Sequence, residues 1–440
     1  MVCSAALGQT VEVPSRASPL VSVQTAPLHE PHASSVLDGR AAWSRLALAV
    51  LIGTLGSVGS WSVPVSLPAV QAEFGIARAA ASLPYTLTMV GFAFGGIAFG
   101  RLADWRGVFL PLVIGAVALA CGYVAAGFAP NLPTFALVQG ALIGFGSAAS
   151  FGPLMADISH WFERRRGIAV AICAAGNYLA GVVWPPSLQH FIETSGWRAT
   201  HIGVGLFCAA TLLPLAWFMR QRPPGHAIQA DAPTATFVPL ETGLSPRALQ
   251  ALLCTAGVAC CVAMAMPQVH IVAYCGDLGY GAARGAAMLS LMLGFGIFSR
   301  VGSGFVADRI GGLATLLLGS VLQACALLLY LMFDGLSSLY VISALFGLFQ
   351  GGIVPSYAII VREHFAPREA GARVGLVLMA TLGGMALGGW MSGLIFDLTG
   401  SYRIAFLNGL AWNLLNASIV LCLLLRCRSR PLAVPANSVA

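Results

Sequence analysis

The stretch RVGSGFVADRIGG, residues 300–312, sets an arginine inside a long apolar segment and, eight residues later, an aspartate in a glycine-bounded turn between two such segments. The same G-x-x-x-D-x-x-G spacing, Gly304, Asp308 and Gly311, recurs 204 residues earlier as Gly100, Asp104 and Gly107 in GRLADWRG. Only the later copy follows a buried arginine; the position matching Arg300 is Gly96. The offset also relates His160 to His364, Arg164 to Arg368, Gly167 to Gly371 and Gly196 to Gly400, without a gap. Several matches in register imply two halves built on one plan and running in parallel, an arrangement that puts a ligand site between them near mid-membrane.

Composition fixes the solvent. Of 440 residues, 58% are hydrophobic and 9% charged, and mean hydropathy is +0.83. Soluble domains carry roughly 25% charged residues, so this chain must face lipid. A bilayer core needs about 20 apolar residues per helix, and charges and prolines cut the sequence into twelve such segments. They cover about Leu46–Pro68, Arg78–Arg101, the stretch from Gly107 to Ala129, Pro133–Asp157, Gly167–Gln189, Ala199–Met219, Ala248–Cys275, Ala283–Ala307, two pieces flanking Asp334-Gly335, Val374–Phe396 and Ile404–Leu425. The predicted fold is an all-α membrane protein of twelve transmembrane helices in two six-helix halves, residues 43–219 and 248–426. A proline-rich linker (220–247) joins them, and a disordered tail (1–42) and a short tail (427–440) flank them. The N-terminus does not read as a signal peptide, because its apolar run is too short and Glu12, Pro14 and Arg16 follow.

The net charge of +7 comes from arginines that lie at segment ends rather than in one patch, so nucleic acid is not an expected partner. Both tails and the even-numbered loops hold most of them, among them Arg101, Arg106, Arg164, Arg309 and Arg368, against Arg78, Arg198, Arg284 and Arg403 on the other side. The positive-inside rule puts both termini and the even loops in the cytoplasm of a multi-pass cell-membrane protein. The eleven cysteines include no C-x-x-C and read as small buried hydrophobes. No metal-ligand cluster, phosphate loop or catalytic constellation occurs in the sequence, so neither an enzyme nor a cofactor is expected. The chain is expected to act as a monomer.

The turn reads as a gate: Asp104 and Asp308 are placed to cap the next helix, with Gly100, Gly107, Gly304 and Gly311 allowing tight turns and Arg106, Arg309, Arg164 and Arg368 beside them. Arg300 reads as the hook. It stands about 12 Å up the helix from Asp308, where burial costs about 2.5–3.5 kcal/mol, and no Asp or Glu lies inside any segment to answer it. Either an anionic ligand supplies the counter-charge, a carboxylate fitting the guanidinium fork, or Arg300 snorkels or bonds backbone carbonyls. Trp61, Asn177, Tyr178, Tyr274 and Gln350 are polar-capable groups that either line a cavity or pack between helices. His270 either carries a proton or sits inert at the interface. The glycine pairs Gly91/Gly95, Gly140/Gly144 and Gly384/Gly388 predict close helix contacts.

GRLADWRG resembles the signature loop of the major facilitator superfamily, over about residues 45–425. HWFERRRGIAVAICAAGNYLAG (160–181), HIVAYCGDLGYGAARGAAMLS (270–290) and GLIFDLTGSYRIAF (393–406) are similar to its monocarboxylate-transporter branch and bacterial relatives, including the oxalate/formate group. The resemblance implies a secondary transporter of a small organic anion, with Arg300 at the position of a substrate-binding arginine; with no nucleotide motif in the sequence, coupling is expected to be ion- or substrate-driven, with protons as the expected partner. An exporter of apolar or drug-like compounds and an anion exchanger are the other readings. This chain has Gly296 where those transporters often carry a polar or acidic residue, no lysine in Val63-Pro64-Val65, and nothing basic between Arg373 and Arg403.

Overall fold

A computed structural model describes residues 37–221 and 243–428, with the side chains of residues 367, 368 and 428 excepted. Most of both tails and of the linker therefore lies outside the described residues, as does the Arg368 side chain. Among the described residues, eleven helices are long and apolar enough to cross a membrane. One of them, Arg166–Phe218, is 53 residues long and contains a single non-helical residue, Gly196, at φ 80 and ψ 157. Divided there, the described residues form twelve: α1 (Arg40–Phe74), α2 (Arg78–Arg106), α3 (Phe109–Gly127), α4 (Leu132–Trp161), α5 (166–195), α6 (197–218), α7 (Pro246–Asp277), α8 (Ala282–Ile310), α9 (Gly312–Met332), α10 (Leu336–His364), α11 (Glu369–Thr399) and α12 (Tyr402–Cys427). Helix is the form that satisfies every backbone group without water. Phe94, Leu137 and Leu206 are among the large apolar side chains left on the outside.

The duplication is visible in the backbone. Gly107 ends α2 at φ 81, ψ 174 and Gly311 ends α8 at φ 82, ψ 164. Each donates its N–H to the alanine four residues back, Ala103 at 2.8 Å and Ala307 at 2.9 Å. Gly196 and Gly400 are likewise both at positive φ. Side chains rarely adopt such angles, which is why glycine stands at all four joints.

Two expectations are corrected. The first helix starts at Arg40, not near Leu46, and residues 40–42 of the predicted tail are helical. Arg45 does not interrupt it, because Asp157 of α4 holds the guanidinium at 2.7 and 2.9 Å, Met219 O accepts at 3.2 Å and the Trp161 ring lies 4.6 Å away. Asp104 and Asp308 do not open the following helices. Both are exposed in the last turn of α2 and α8, and at the helix end their charges reach water, so the helix runs on to the positive-φ glycine. The N–H of Gly312, which starts α9, is taken instead by the Glu363 carboxylate at 3.1 and 3.3 Å.

Within each half, small residues set the helix spacing. A Cβ on Gly91 would stand 1.9 Å from Gly140 O, and one on Gly144 2.3 Å from Thr88 O, between α2 and α4. Gly384 and Gly388 of α11 meet Val258 O and Val262 O of α7 at 2.5 and 2.6 Å in the same sense. At this contact α4 runs as a π-helix over Gln139–Gly144 and a 3-10 turn over Ala148–Ser150. Gly91→Ala should cost about 1–3 kcal/mol by overpacking against backbone, whereas Gly96→Ala, whose Cβ would have no atom within 4 Å, should be neutral or slightly stabilising. Thermal unfolding of the two variants in detergent, side by side, checks this; equal melting temperatures would contradict it.

Candidate functional site

The two halves meet chiefly along three helix pairs, α2 with α11, α5 with α8 and α1 with α7. Call the end that holds Arg40, Gly107 and Gly311 the basic end and the opposite one the distal end. Between the halves lies a cavity of about 180 Å³. Ser60 and Trp61 of α1, Tyr85, Met89 and Phe92 of α2, Phe151 of α4, and Asn177 and Tyr178 of α5 line it from one side. Cys261, Met264 and Gln268 of α7, Arg300 of α8, Val354 of α10, and Leu378, Thr381, Leu382 and Met385 of α11 line it from the other.

Arg300 is the one charged side chain among these lining residues. Its Nη1 donates to Ala174 O across the interface at 3.2 Å, and its Cζ lies 4.4 Å from the centre of the Tyr178 ring. Nε is buried and has no partner. A carbonyl and an aromatic face soften the charge, but neither neutralises it. Gly296 explains how the ring gets there: a Cβ at that position would stand 2.4 Å from Tyr178 Cε1. The absence of a side chain one turn before Arg300 is what lets the α5 tyrosine slide under the guanidinium.

The structure brings Trp61, Asn177, Tyr178 and Arg300 to one cavity. Trp61 Nε1 donates to Asn177 O at 3.1 Å. Gln350 lies one residue behind the wall, its Oε1 accepting from Gln268 Nε2 at 2.9 Å. Gln268 and Met264 were not expected from sequence; they lie two and six residues before His270 on α7, a helix buried on every side here and too evenly apolar for periodicity to pick a face.

His270 and Tyr274 are not in the cavity wall. They belong to a cluster at the distal end. His270 Nε2 bonds Gly389 O at 2.8 Å, and since a carbonyl only accepts, that nitrogen carries the proton. Nδ1 then accepts from Tyr402 Oη at 3.2 Å, and Tyr402 Oη accepts from Arg78 Nη1 at 2.7 Å. Arg78, from the N-terminal half, also forks onto Asp277 of the C-terminal half at 3.0 and 3.2 Å and lies over the Phe396 ring. Asp397 takes the backbone N–H of Arg78 and Ala79 at 2.8 and 2.7 Å. The Tyr274 ring packs on Tyr402 and Phe406. Ser290 Oγ bonds Val182 O, and Thr86 Oγ1 bonds Ala386 O at 2.9 Å, again between halves.

Toward the basic end, Gly96 and Gly100 of α2 and Gly302 and Gly304 of α8 have no atom within 4 Å of where a Cβ would stand. Among the residues read as a gate, Arg106 packs on its neighbour Trp105, with Cζ 5.3 Å from the ring, and Arg309 is exposed at the end of α8. The Arg164 backbone N–H donates to Asp38 Oδ2 at 3.0 Å, and that of Glu163 at 3.2 Å. Those amides, Arg164's first, hold the Asp38 carboxyl below its ordinary range.

Gly296→Ala should lower stability by about 1–3 kcal/mol in the native background and by clearly less when Tyr178 is already Ala, because the clashing ring is then gone. A thermal double-mutant cycle measures the coupling; additive effects would mean that the ring does not occupy the space left by Gly296.

The family model "Major Facilitator Superfamily" matches residues 49–338 and 303–438. Monocarboxylate transporter 13 of Bos taurus is 27% identical over 341 residues, covering 74% of this chain and 76% of its own length. The uncharacterized MFS-type transporter YcxA of Bacillus subtilis is 25% identical, covering 67% and 73%. Among solved structures, the nucleoside transporter NupG superposes with a TM-score of 0.68 at 15% identity over 86% of this chain and 99% of that one, a likeness of fold. With twelve helices in two repeated halves around a central cavity, and a family match over most of its length, this chain belongs to the major facilitator superfamily of membrane transporters.

Proposed function

We propose that the protein is a secondary carrier that moves a small organic monocarboxylate by alternating access, with Arg300 holding the carboxylate. The observation that carries this reading is the unanswered charge: a half-buried guanidinium on the cavity wall, its Nε buried and unpartnered, with no acidic residue among the lining residues. The other carboxylates near the interface are engaged, Asp277 with the Arg78 side chain and Asp397 with backbone N–H groups. Relatives named monocarboxylate transporters support the same substrate class. A cationic substrate would face an uncompensated like charge, so the cavity does not favour a cation exporter.

The geometry supports one arm of the cycle. The halves are bolted at the distal end by Arg78, Asp277, Tyr402 and Asp397, and the open space beside Gly96, Gly100, Gly302 and Gly304 supports a gap toward the basic end. By the positive-inside rule the basic end, with both termini, faces the cytoplasm of a cell membrane, which makes this an inward-open form.

Carboxylates at about one hundred times Kd should stabilise the purified protein by about 2.7 kcal/mol, and Arg300→Gln should abolish the effect. Stabilisation of both proteins alike removes Arg300 from the site; stabilisation by neutral or cationic compounds alone removes the substrate class. Asp277→Asn, which leaves Arg78 without its countercharge, should raise labelling of a sole retained Cys261 by an impermeant thiol reagent added at the distal face. Unchanged labelling would mean that the ion pair is not the bolt.

A further inference from the structure

The walls around Arg300 say more about the ligand than its charge does. Met89, Met264 and Met385 approach from α2, α7 and α11, and Leu382 lies beside Met385 on α11. Much of the polar lining is turned to the protein itself. Trp61 Nε1 is given to Asn177 O, Gln268 Nε2 to Gln350 Oε1, and Thr381 Oγ1 to Leu378 O at 2.7 Å. A second carboxylate on the ligand would find no second cation among the lining residues. It would also surrender its water to apolar walls, a transfer that strongly opposes binding. A two-carbon acid would occupy little of a cavity of about 180 Å³ and leave thioether and leucine surface against solvent. Methionines, being unbranched and polarizable, fit apolar bodies of varied outline and favour aromatic edges.

We infer that the ligand is a monocarboxylate with an unfunctionalised hydrocarbon body, aliphatic of medium length or aromatic, rather than a short hydroxy or keto acid or a dicarboxylate. This rests on the carboxylate-binding role proposed for Arg300. The carboxylate takes the free donors of the guanidinium fork, and the body lies along the methionine wall on the side away from the Tyr178 stack.

The test is a homologous series on the whole protein in detergent, butyrate to octanoate with benzoate and phenylacetate, read by calorimetry or by tryptophan fluorescence, since Trp61 is in the wall. Burying one methylene corresponds to about a fourfold change in affinity, so Kd should fall by about that factor per carbon until the cavity is filled. Suberate, the eight-carbon dicarboxylate, should bind at least about tenfold more weakly than octanoate. Met385→Ser should weaken octanoate more than butyrate. A flat series, equal binding of octanoate and suberate, or equal losses for both acids in Met385→Ser would each overturn the inference while leaving the carboxylate site standing. If no acid binds, or if Arg300→Gln binds the whole series as the native protein does, the proposed function itself falls.

Discussion

A guanidinium cannot shed its charge, so every arginine that this fold draws in among its helices has to be answered where it lies. Three do so in three ways. Arg45 has a resident carboxylate, Asp157, inside its own half; removing one partner of such a buried pair leaves an uncompensated charge, which costs about 3–5 kcal/mol. Arg78 has a carboxylate, Asp277, that belongs to the other half. Arg300 has a carbonyl and a ring. The order runs from a carboxylate in the same half, through a carboxylate across the interface, to no carboxylate among the described residues, and under the function proposed above it would suit holding a half together, letting the halves part and receiving a ligand.

The asymmetry between the halves sharpens this. Their joints are nearly superposable, with Gly107 and Gly311 differing by one degree in φ. Duplication has preserved the hinges and capping turns. It has not preserved the surroundings of the matching positions, since Gly96 faces open space and Arg300 faces Tyr178. The joints are held in common, while the cavity's one guanidinium stands in the C-terminal half alone.

What could be read from the sequence follows from the range of the physics. Helices and their number came from hydropathy, which is local, and the halves came from an offset that needs only a comparison of the chain with itself. Arg300 stands out because it is the one charge between Arg284 and Asp308, in the apolar middle of a 29-residue helix, and is costly there wherever its partners lie. Pairing is another matter. Arg45 and Asp157 are 112 positions apart, Arg78 and Asp277 199, and nothing local links them. The same ignorance put Asp104 and Asp308 at helix starts, since a charged turn and a charged last turn look alike until the φ of Gly107 is known. His270 was noticed for its chemistry, yet its role depends on Tyr402 and Gly389 from two other helices. Gly296 appeared as a missing polar residue; in space it is the room that a tyrosine from the opposite half requires.

Asp397 has one more consequence. It serves the first two amides of α2 from a helix of the other half, so part of the secondary structure of one domain is completed by its neighbour. Parting the halves at the distal end would fray that first turn until water or another acceptor replaced the carboxylate, a loss of about 1 kcal/mol for a cap of this kind. The barrier to distal opening would then hold a small unfolding step, and it would respond to temperature and to water activity as helix ends do, beyond what a rigid hinge would show.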